Sequence, residues 1–186
     1  MHYEAGTYYH VYNRGAHFES IFLEQENYRY LISLLEKYSL RYRTVVAAYC
    51  LMPNHYHLIL RQEEGGSIGM FLKTTFNAYT QAMNRRFGTS GTLFEAQAKV
   101  KQIFTEAHCL RVIPYIHLNP VTAALVASPG QWEFSNYLEW IGRRNSNLMD
   151  RELRDSYFPG PEDYGRYIAD YQLEKERKEL GEFMFD

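Results

Sequence analysis

Two clusters in this 186-residue sequence have residue types and spacing that could do chemistry. The first is His55-Tyr56-His57, inside the run Leu51-Met52-Pro53-Asn54-His55-Tyr56-His57-Leu58. In a strand, residues i and i+2 leave the same face, so both imidazoles project toward a single metal ion. A bare pair of this kind is more often two ordinary surface or core histidines. Here apolar strand residues flank the pair and Pro53-Asn54 sits at its entry, which puts the rings on a rigid element. The second cluster is Pro114-Tyr115-Ile116-His117-Leu118-Asn119-Pro120. If this run is helical, Tyr115 and Asn119 stand at i and i+4 and share a face, so a phenol and an amide look toward one ion together. A competing reading makes Asn119 the N-cap of a following helix with Pro120 at its first position, since proline disfavours helical geometry in the residue before it. His117 is an alternative third ligand. It lies on another helix face and ranks below Asn119.

The elements that must position these groups follow from periodicity. Residues 6–12 alternate weakly and end at Asn13-Arg14-Gly15, which reads as a strand and a turn. From Glu24 to Leu40 the apolar residues recur at helical spacing, and residues 43–52 are β-branched and apolar, a buried strand. Pro53-Asn54 makes a tight connection to the strand His55–Arg61. Ser67 caps a long helix to about Arg86. Gly88 to Ile103 reads as a turn followed by a strand, and Thr105 caps a helix to about Leu118. This order, β-α-β-β-α-β plus a helix, predicts an α+β fold: a ferredoxin-like antiparallel sheet with two helices on one face, leaving the other face for the Tyr115 helix. Beyond Pro120 the pattern weakens. Residues 129–142, with Trp132 and Trp140, are expected to pack back on the domain, and 161–180 to form an amphipathic, charged helix. The expected division is therefore a catalytic domain over 1–128 and a C-terminal extension over 129–186, packed on that domain or regulating it.

The formal net charge of -2 is unusual for a nucleic-acid binder, but it is unevenly spread. Residues 150–186 hold 11 acids and 6 bases, leaving 11 acids and 14 bases in residues 1–149, so the body is mildly basic and the tail acidic. Binding depends on the local field and not on the total. Arg14, Lys73, Asn77, Arg85, Arg86, Lys99 and Lys101 are candidate DNA contacts, though any single one reads equally as a solvated surface group. Cys50 and Cys109 lie in apolar sequence without metal-ligand spacing and are expected as buried free thiols. No stretch approaches the roughly 18 apolar residues of a membrane span, and the N-terminus lacks the pattern of a secretory signal. The expectation is a cytoplasmic protein.

Taken together, four separated motifs resemble the HUH single-strand endonucleases, in particular the branch of REP-associated tyrosine transposases with one catalytic tyrosine. They are Tyr9-His10-Val11-Tyr12-Asn13-Arg14-Gly15, the Leu51–Leu58 run above, Asn84-Arg85-Arg86-Phe87-Gly88 with Gly91-Thr92-Leu93-Phe94, and Tyr115-Ile116-His117-Leu118-Asn119-Pro120-Val121. The resemblance implies that His55 and His57 bind a metal ion, that Tyr115 is the nucleophile, and that Asn119 completes the metal site. It also implies single-stranded DNA, flanking hairpin-forming repeats, as the partner. The sequence departs from the family after Leu93-Phe94, where an arginine is often found and Glu95-Ala96-Gln97-Ala98-Lys99 stands. A phosphate contact there is missing or moved to Lys99 or Lys101. The middle residue of the histidine pair, usually hydrophobic, is Tyr56.

The chemistry so implied is coherent. A phosphodiester repels nucleophiles, and a phenol, with an ordinary pKa near 10, is mostly neutral at pH 7. A divalent cation held by two imidazoles and an amide oxygen would meet both difficulties, and that donor set points to Mg²⁺ or Mn²⁺. Attack by Tyr115 would leave a 5′-phosphotyrosine that a second 3′-OH reverses, so no nucleotide cofactor is expected, in keeping with the lack of a GxxxxGK[ST] loop. The rivals are a domesticated, non-cleaving hairpin-binding protein, a rolling-circle replication initiator or relaxase, and a small zinc hydrolase. The last lacks HExxH and a well-spaced third ligand. Monomer and dimer are equally compatible with the sequence.

Overall fold

The two periodicities resolve into one sheet with helices on both faces. The computed structural model describes residues 2–160 and 162–183, with side chains described through 174. The elements run β1 (Tyr8–Arg14), α1 (Gln25–Arg41), β2 (Thr44–Met52), β3 (His55–Gln62), α2 (Ile68–Phe87), β4 (Lys99–Ile103), α3 (Glu106–Thr122), α4 (Tyr137–Trp140), α5 (Arg151–Tyr157) and α6 (Asp163–Phe183). Single 3-10 turns lie at Ala16–Phe18 and Pro129–Gln131. The strand order is β2-β3-β1-β4, and every neighbouring pair is antiparallel. This is the ferredoxin-like arrangement the element order predicts.

Alternation along the strands sorts the side chains to two cores. Tyr9, Val11, Tyr56, Leu58 and Leu60 face α1 and α2, where they meet Leu31, Leu35, Phe71 and Tyr79. Ala48, Cys50, Met52, Ile59 and Ile103 face the opposite way, against Ile113 and Ile116 of α3 and Trp140, Tyr164 and Ile168 of the C-terminal segment. Both cysteines are free and buried, as expected.

Three boundaries differ from the sequence reading in ways that matter for the site. β1 runs through Asn13 and Arg14, because its ladder with β3 continues through Asn13↔Tyr56 and Arg14↔His55. The chain turns only at Gly15, where a Cβ would meet the Glu19 carbonyl oxygen at 2.1 Å. Between the left-handed Gly88 that ends α2 (φ 64°) and Lys99, the backbone is irregular, so β4 spans five residues only. Finally, α3 does not stop near Leu118 but runs through Pro120 to Thr122, so Asn119 is a helical residue and not the N-cap of a new helix. Pro114 and Pro120 lack the N–H groups that would bond the carbonyls of Leu110 and Ile116. Those carbonyls find other donors: the Tyr167 hydroxyl reaches Leu110 at 3.2 Å, and Asn119 Nδ2 reaches Ile116 at 3.4 Å. The helix tolerates both prolines because side chains replace the missing bonds.

The segment after Pro129 does pack back on the domain. Its polar groups bond the backbone of β2, the edge strand. Trp132 Nε1 donates to Leu51 O (3.0 Å), Trp140 Nε1 to Ala47 O (3.0 Å), and Leu51 N to Phe134 O (2.9 Å). Covering an exposed edge in this way removes a template for intermolecular pairing. Asn136, with no exposed surface, is the centre of the contact. Its Oδ1 accepts from Tyr49 N (2.8 Å) and pairs with His117 Nε2 (2.8 Å), while Nδ2 donates to Ala47 O (3.1 Å) and Leu148 O (2.8 Å). α5, which the sequence did not suggest, is capped by Asp150, whose Oδ1 accepts from Leu153 N and whose Oδ2 receives Tyr8 Oη (2.8 Å) and Arg61 Nε (3.0 Å).

Candidate active site

α3 lies chiefly over β2, which leaves the sheet uncovered toward β1 and β4 on the same face. His55 and His57 of β3 open into this space, as do His10, Tyr12 and Arg14 of β1 and Lys99 and Lys101 of β4. The His55 and His57 rings stand 5.2 Å apart, nearly perpendicular. Tyr115 comes in from α3, its ring edge-on to His57 at 5.8 Å between centroids. It is 46% exposed, on the open side of its helix. Asn119 Nδ2 donates to Tyr115 O at 2.8 Å, and its side chain also hydrogen-bonds His55. The Asn119 amide lies against His55, where it partly offsets the burial that lowers that ring's pKa.

The donor set suits a divalent cation. His55 Nδ1 pairs with Asn54 Oδ1 at 2.8 Å, and His57 Nδ1 with His10 Nε2 at 2.9 Å, so each ring keeps Nε2 for another partner. Burial, reinforced by the neighbouring histidines His10 and His55, pushes the His57 imidazole down to about 3, so it is neutral and offers a lone pair at pH 7. Among the described residues no group of three or more His, Cys, Asp or Glu side chains is arranged to hold a metal. The Asn119 amide, beside His55, is the candidate third donor.

His10 was missed in the sequence. Half-buried, and held down to about 4 chiefly by desolvation, it is neutral, and its Nε2 can accept from His57 Nδ1–H. With His57 as the donor, that bond leaves the His57 Nε2 lone pair toward the site, the orienting role outer partners play around metal-bound imidazoles. The signal was Tyr8/His10/Tyr12 at period two, but only the register Tyr12↔His57 sets that face beside the histidine pair. His10→Ala is expected to weaken Mn²⁺ affinity by about 10- to 100-fold, with partial recovery in His10→Gln, whose carbonyl can accept the same bond. Calorimetric titration of Mn²⁺ checks this, and an unchanged affinity would remove His10 from the site.

His117 is not a ligand. It has no exposed surface, and both of its nitrogens are engaged, Nδ1 with Tyr164 Oη at 2.6 Å and Nε2 with Asn136 Oδ1 at 2.8 Å. Because Asn136 Oδ1 can only accept, His117 carries its proton on Nε2 and accepts from the tyrosine. Its side chain points from α3 into the core, on the face away from Tyr115.

The candidate DNA contacts separate into groups. Arg14 and Lys99 line a cavity of about 180 Å³ that reaches His55 and His57. Lys101 lines a wider cleft of about 750 Å³ between the sheet and α3, together with His108, Arg111, Tyr115 and Tyr171. Lys73 and Asn77 of α2 line a groove on the other side of the sheet. Arg85 and Arg86 line none of these three. They occupy the last turn of α2, where Arg86 is ion-paired with Glu24. Arg14 is likewise engaged: its guanidinium bonds Glu95 through two nitrogens and lies over the Phe18 ring at 3.9 Å. Arg111 and His108 were not singled out in the sequence, since only the placement of α3 beside the open part of the sheet brings them to the cleft.

No protein-family model matches the sequence, and no curated protein matches it. Among solved structures, a REP-associated tyrosine transposase bound to a REP hairpin is similar with a TM-score of 0.67 at 18% identity, over 81% of this chain and 92% of that one. A candidate transposase from Deinococcus radiodurans R1 aligns with a TM-score of 0.44 at 20% identity, over 62% of this chain and 95% of that one. Over four-fifths of its length, then, the chain has the fold of a REP-associated tyrosine transposase.

Proposed function

We propose that this chain is a transposase-like enzyme that cuts and rejoins single-stranded DNA beside a hairpin, with Tyr115 as its one nucleophile. The observation that carries the reading is the meeting of His57 and Tyr115, ring to ring, from a strand and a helix far apart in sequence, with His55 and Asn119 beside them. The shared fold with a transposase bound to a DNA hairpin supports the substrate class.

His55, His57 and the Asn119 amide oxygen would hold Mg²⁺ or Mn²⁺. When bound, such a cation would draw charge from the scissile phosphate and orient it. Tyr115 Oη attacks phosphorus as its proton leaves to solvent. The Oη–P bond forms, the P–O3′ bond breaks, and the departing 3′-oxygen takes up a proton. The product is a 5′-phosphotyrosine and a free 3′-OH. A second 3′-OH reverses these steps with no net change in bond type, so rejoining needs no nucleotide. Arg14, Lys99 and Lys101 supply positive charge along the approach.

The test is a single-stranded hairpin oligonucleotide with a single-stranded flank, labelled at either end and incubated with Mn²⁺, Mg²⁺ or chelator. A metal-dependent covalent adduct that retains only the 3′-end label supports the reading. Binding without an adduct at any metal or sequence would leave a hairpin-binding protein. A second expectation concerns Glu95, whose carboxylate holds Arg14 where a phosphate would need it. Glu95→Gln is expected to tighten single-stranded DNA binding a few-fold at low salt, with the gain shrinking as salt is raised. Fluorescence anisotropy at two salt concentrations checks this.

A further inference from the structure

α3 turns one narrow stripe toward the open part of the sheet. At about 100° of helical turn per residue, His108, Arg111, Tyr115 and Asn119 fall within an arc of about 80°. Between residues 108 and 119 only His108, Arg111 and Tyr115 are exposed. The stripe is an ordered row. Asn119, at one end, hydrogen-bonds His55. Tyr115 comes next, edge-on to His57. One turn further toward the helix N-terminus stands Arg111. Helical side chains lean toward the N-terminus, so the phenol of Tyr115 covers the turn that carries Arg111. Both residues line the cleft of about 750 Å³, with His108 and with Lys101 of β4, and no Asp or Glu is among its described lining residues.

Arg111 also differs from other arginines of the chain. Arg14 is held by Glu95, Arg61 by Asp150 and Arg86 by Glu24. Among the described residues Arg111 makes no ion pair and no side-chain hydrogen bond. Its charge is felt by the Tyr167 phenol, whose hydroxyl is already spent on the Leu110 carbonyl. Lys101, the other cation of the cleft, lies over the Tyr12 ring at 5.8 Å, on a strand whose distance from Tyr115 depends on packing. Arg111 and Tyr115 share a helix, so one turn of backbone fixes their spacing. A planar guanidinium fork matches two oxygens of a phosphate, which the point charge of an ammonium does not.

We propose that Arg111 is a catalytic residue: its guanidinium clasps the non-bridging oxygens of the phosphate that Tyr115 attacks, on the other side of Tyr115 from Asn119. The inference rests on the assignment of Tyr115 as nucleophile and adds a group for the charge that this nucleophile creates. Attack by a phenol gathers negative charge on those oxygens, and a fixed donor is worth most where charge develops. Lys99 and Lys101 then serve to attract the strand, and Arg111 acts on the rate.

Arg111→Ala and Arg111→Lys are compared with wild type in single-turnover adduct formation at saturating hairpin DNA and in equilibrium binding. Arg111→Ala should slow adduct formation roughly 100-fold, the usual cost of one lost donor to a developing oxyanion. Binding should weaken by no more than about five-fold, the worth of an exposed ion pair. Arg111→Lys keeps the charge but not the fork and should recover part of the rate. The position is exposed, so the variants should fold, and circular dichroism confirms that they do. A second measurement needs no cutting. In the Tyr115→Phe background, single flank phosphates are replaced in turn by uncharged methylphosphonates, and binding is measured with and without Arg111→Ala. Neutralising one phosphate should cost about three- to five-fold more affinity when Arg111 is present than when it is absent. Where adducts form, that phosphate should be the one joined to Tyr115. Such coupling without any wild-type adduct would keep the phosphate contact of Arg111 and sink the cutting reading alone. The inference is overturned by an Arg111→Ala rate within about three-fold of wild type at saturation, a size that fits a contact felt only in binding. It is equally overturned if no phosphate couples to Arg111, or if the coupled phosphate is not the one joined to Tyr115.

Discussion

Tyr115→Phe is expected to abolish covalent capture of DNA, by about 10⁴-fold or more, while leaving the fold and hairpin binding as they are. Removing a nucleophile costs this much because groups that act as a unit cannot compensate for it. The stability side follows from geometry. Tyr115 is 46% exposed, and among the described residues its hydroxyl has no hydrogen-bond partner, so its removal strands no buried polar group. The change in stability should stay within about 0.5 kcal/mol. Tyr171→Phe is the matched control. It lines the same cleft as Tyr115, on α6, and loses the same atom, yet it is expected to keep the adduct. Adducts that survive in Tyr115→Phe and disappear in Tyr171→Phe would move the nucleophile to α6.

How far the site was legible depends on whether its geometry is local. His55 and His57 could be paired from a strand's period of two, and Tyr115 with Asn119 from a helical turn, because backbone geometry alone aligns these residues. The ferredoxin-like order was legible for the same reason, since each element carries its own period. His10 was not, because its place beside His57 is set by the β1–β3 register, across more than 40 residues of chain. The continuation of α3 past Leu118 was hidden by Pro120, a residue that ends helices unless its orphaned carbonyl finds another donor. The donor is Asn119 itself, which local rules assign to a cap. The chain from Pro129 to Asp150 shows no clean period because its shape comes from bonds to the β2 backbone. Trp132, Asn136 and Trp140 are fixed by Leu51, Ala47 and Tyr49, and nothing in their own neighbourhood reports those partners.

That dependence on distant partners gives the largest stability effect to Asn136. Four bonds converge on its amide, two to carbonyls, one from a strand N–H and one from His117 of α3. Asn136→Ala leaves Tyr49 N, His117 Nε2 and Leu148 O without that partner in a dry core, while Ala47 O keeps the Trp140 indole. A buried group deprived of its partner costs about 1–3 kcal/mol, and in a shared network the losses do not simply add. A loss of about 3–5 kcal/mol is expected, a large share of the roughly 5–15 kcal/mol that holds a domain folded. Urea denaturation followed by fluorescence measures it; a midpoint that shifts by less than about 1 kcal/mol equivalent would mean that water or repacking satisfies the freed groups. The effect should also reach the chemistry. His117 lies two residues from both Tyr115 and Asn119, and its bond to Asn136 ties α3 to the β2 backbone at that level. Under conditions where Asn136→Ala remains folded, adduct formation should therefore slow while hairpin binding changes little, because the nucleophile is mispositioned while Arg14, Lys99 and Lys101 on the far strands are untouched. Asn136→Asp, which keeps the acceptor for Tyr49 and His117 but loses the donor to two carbonyls, should recover more of the rate than of the stability. The His117 tether would then be the part of the network that serves the site, and the bonds to Ala47 and Leu148 the part that serves the fold.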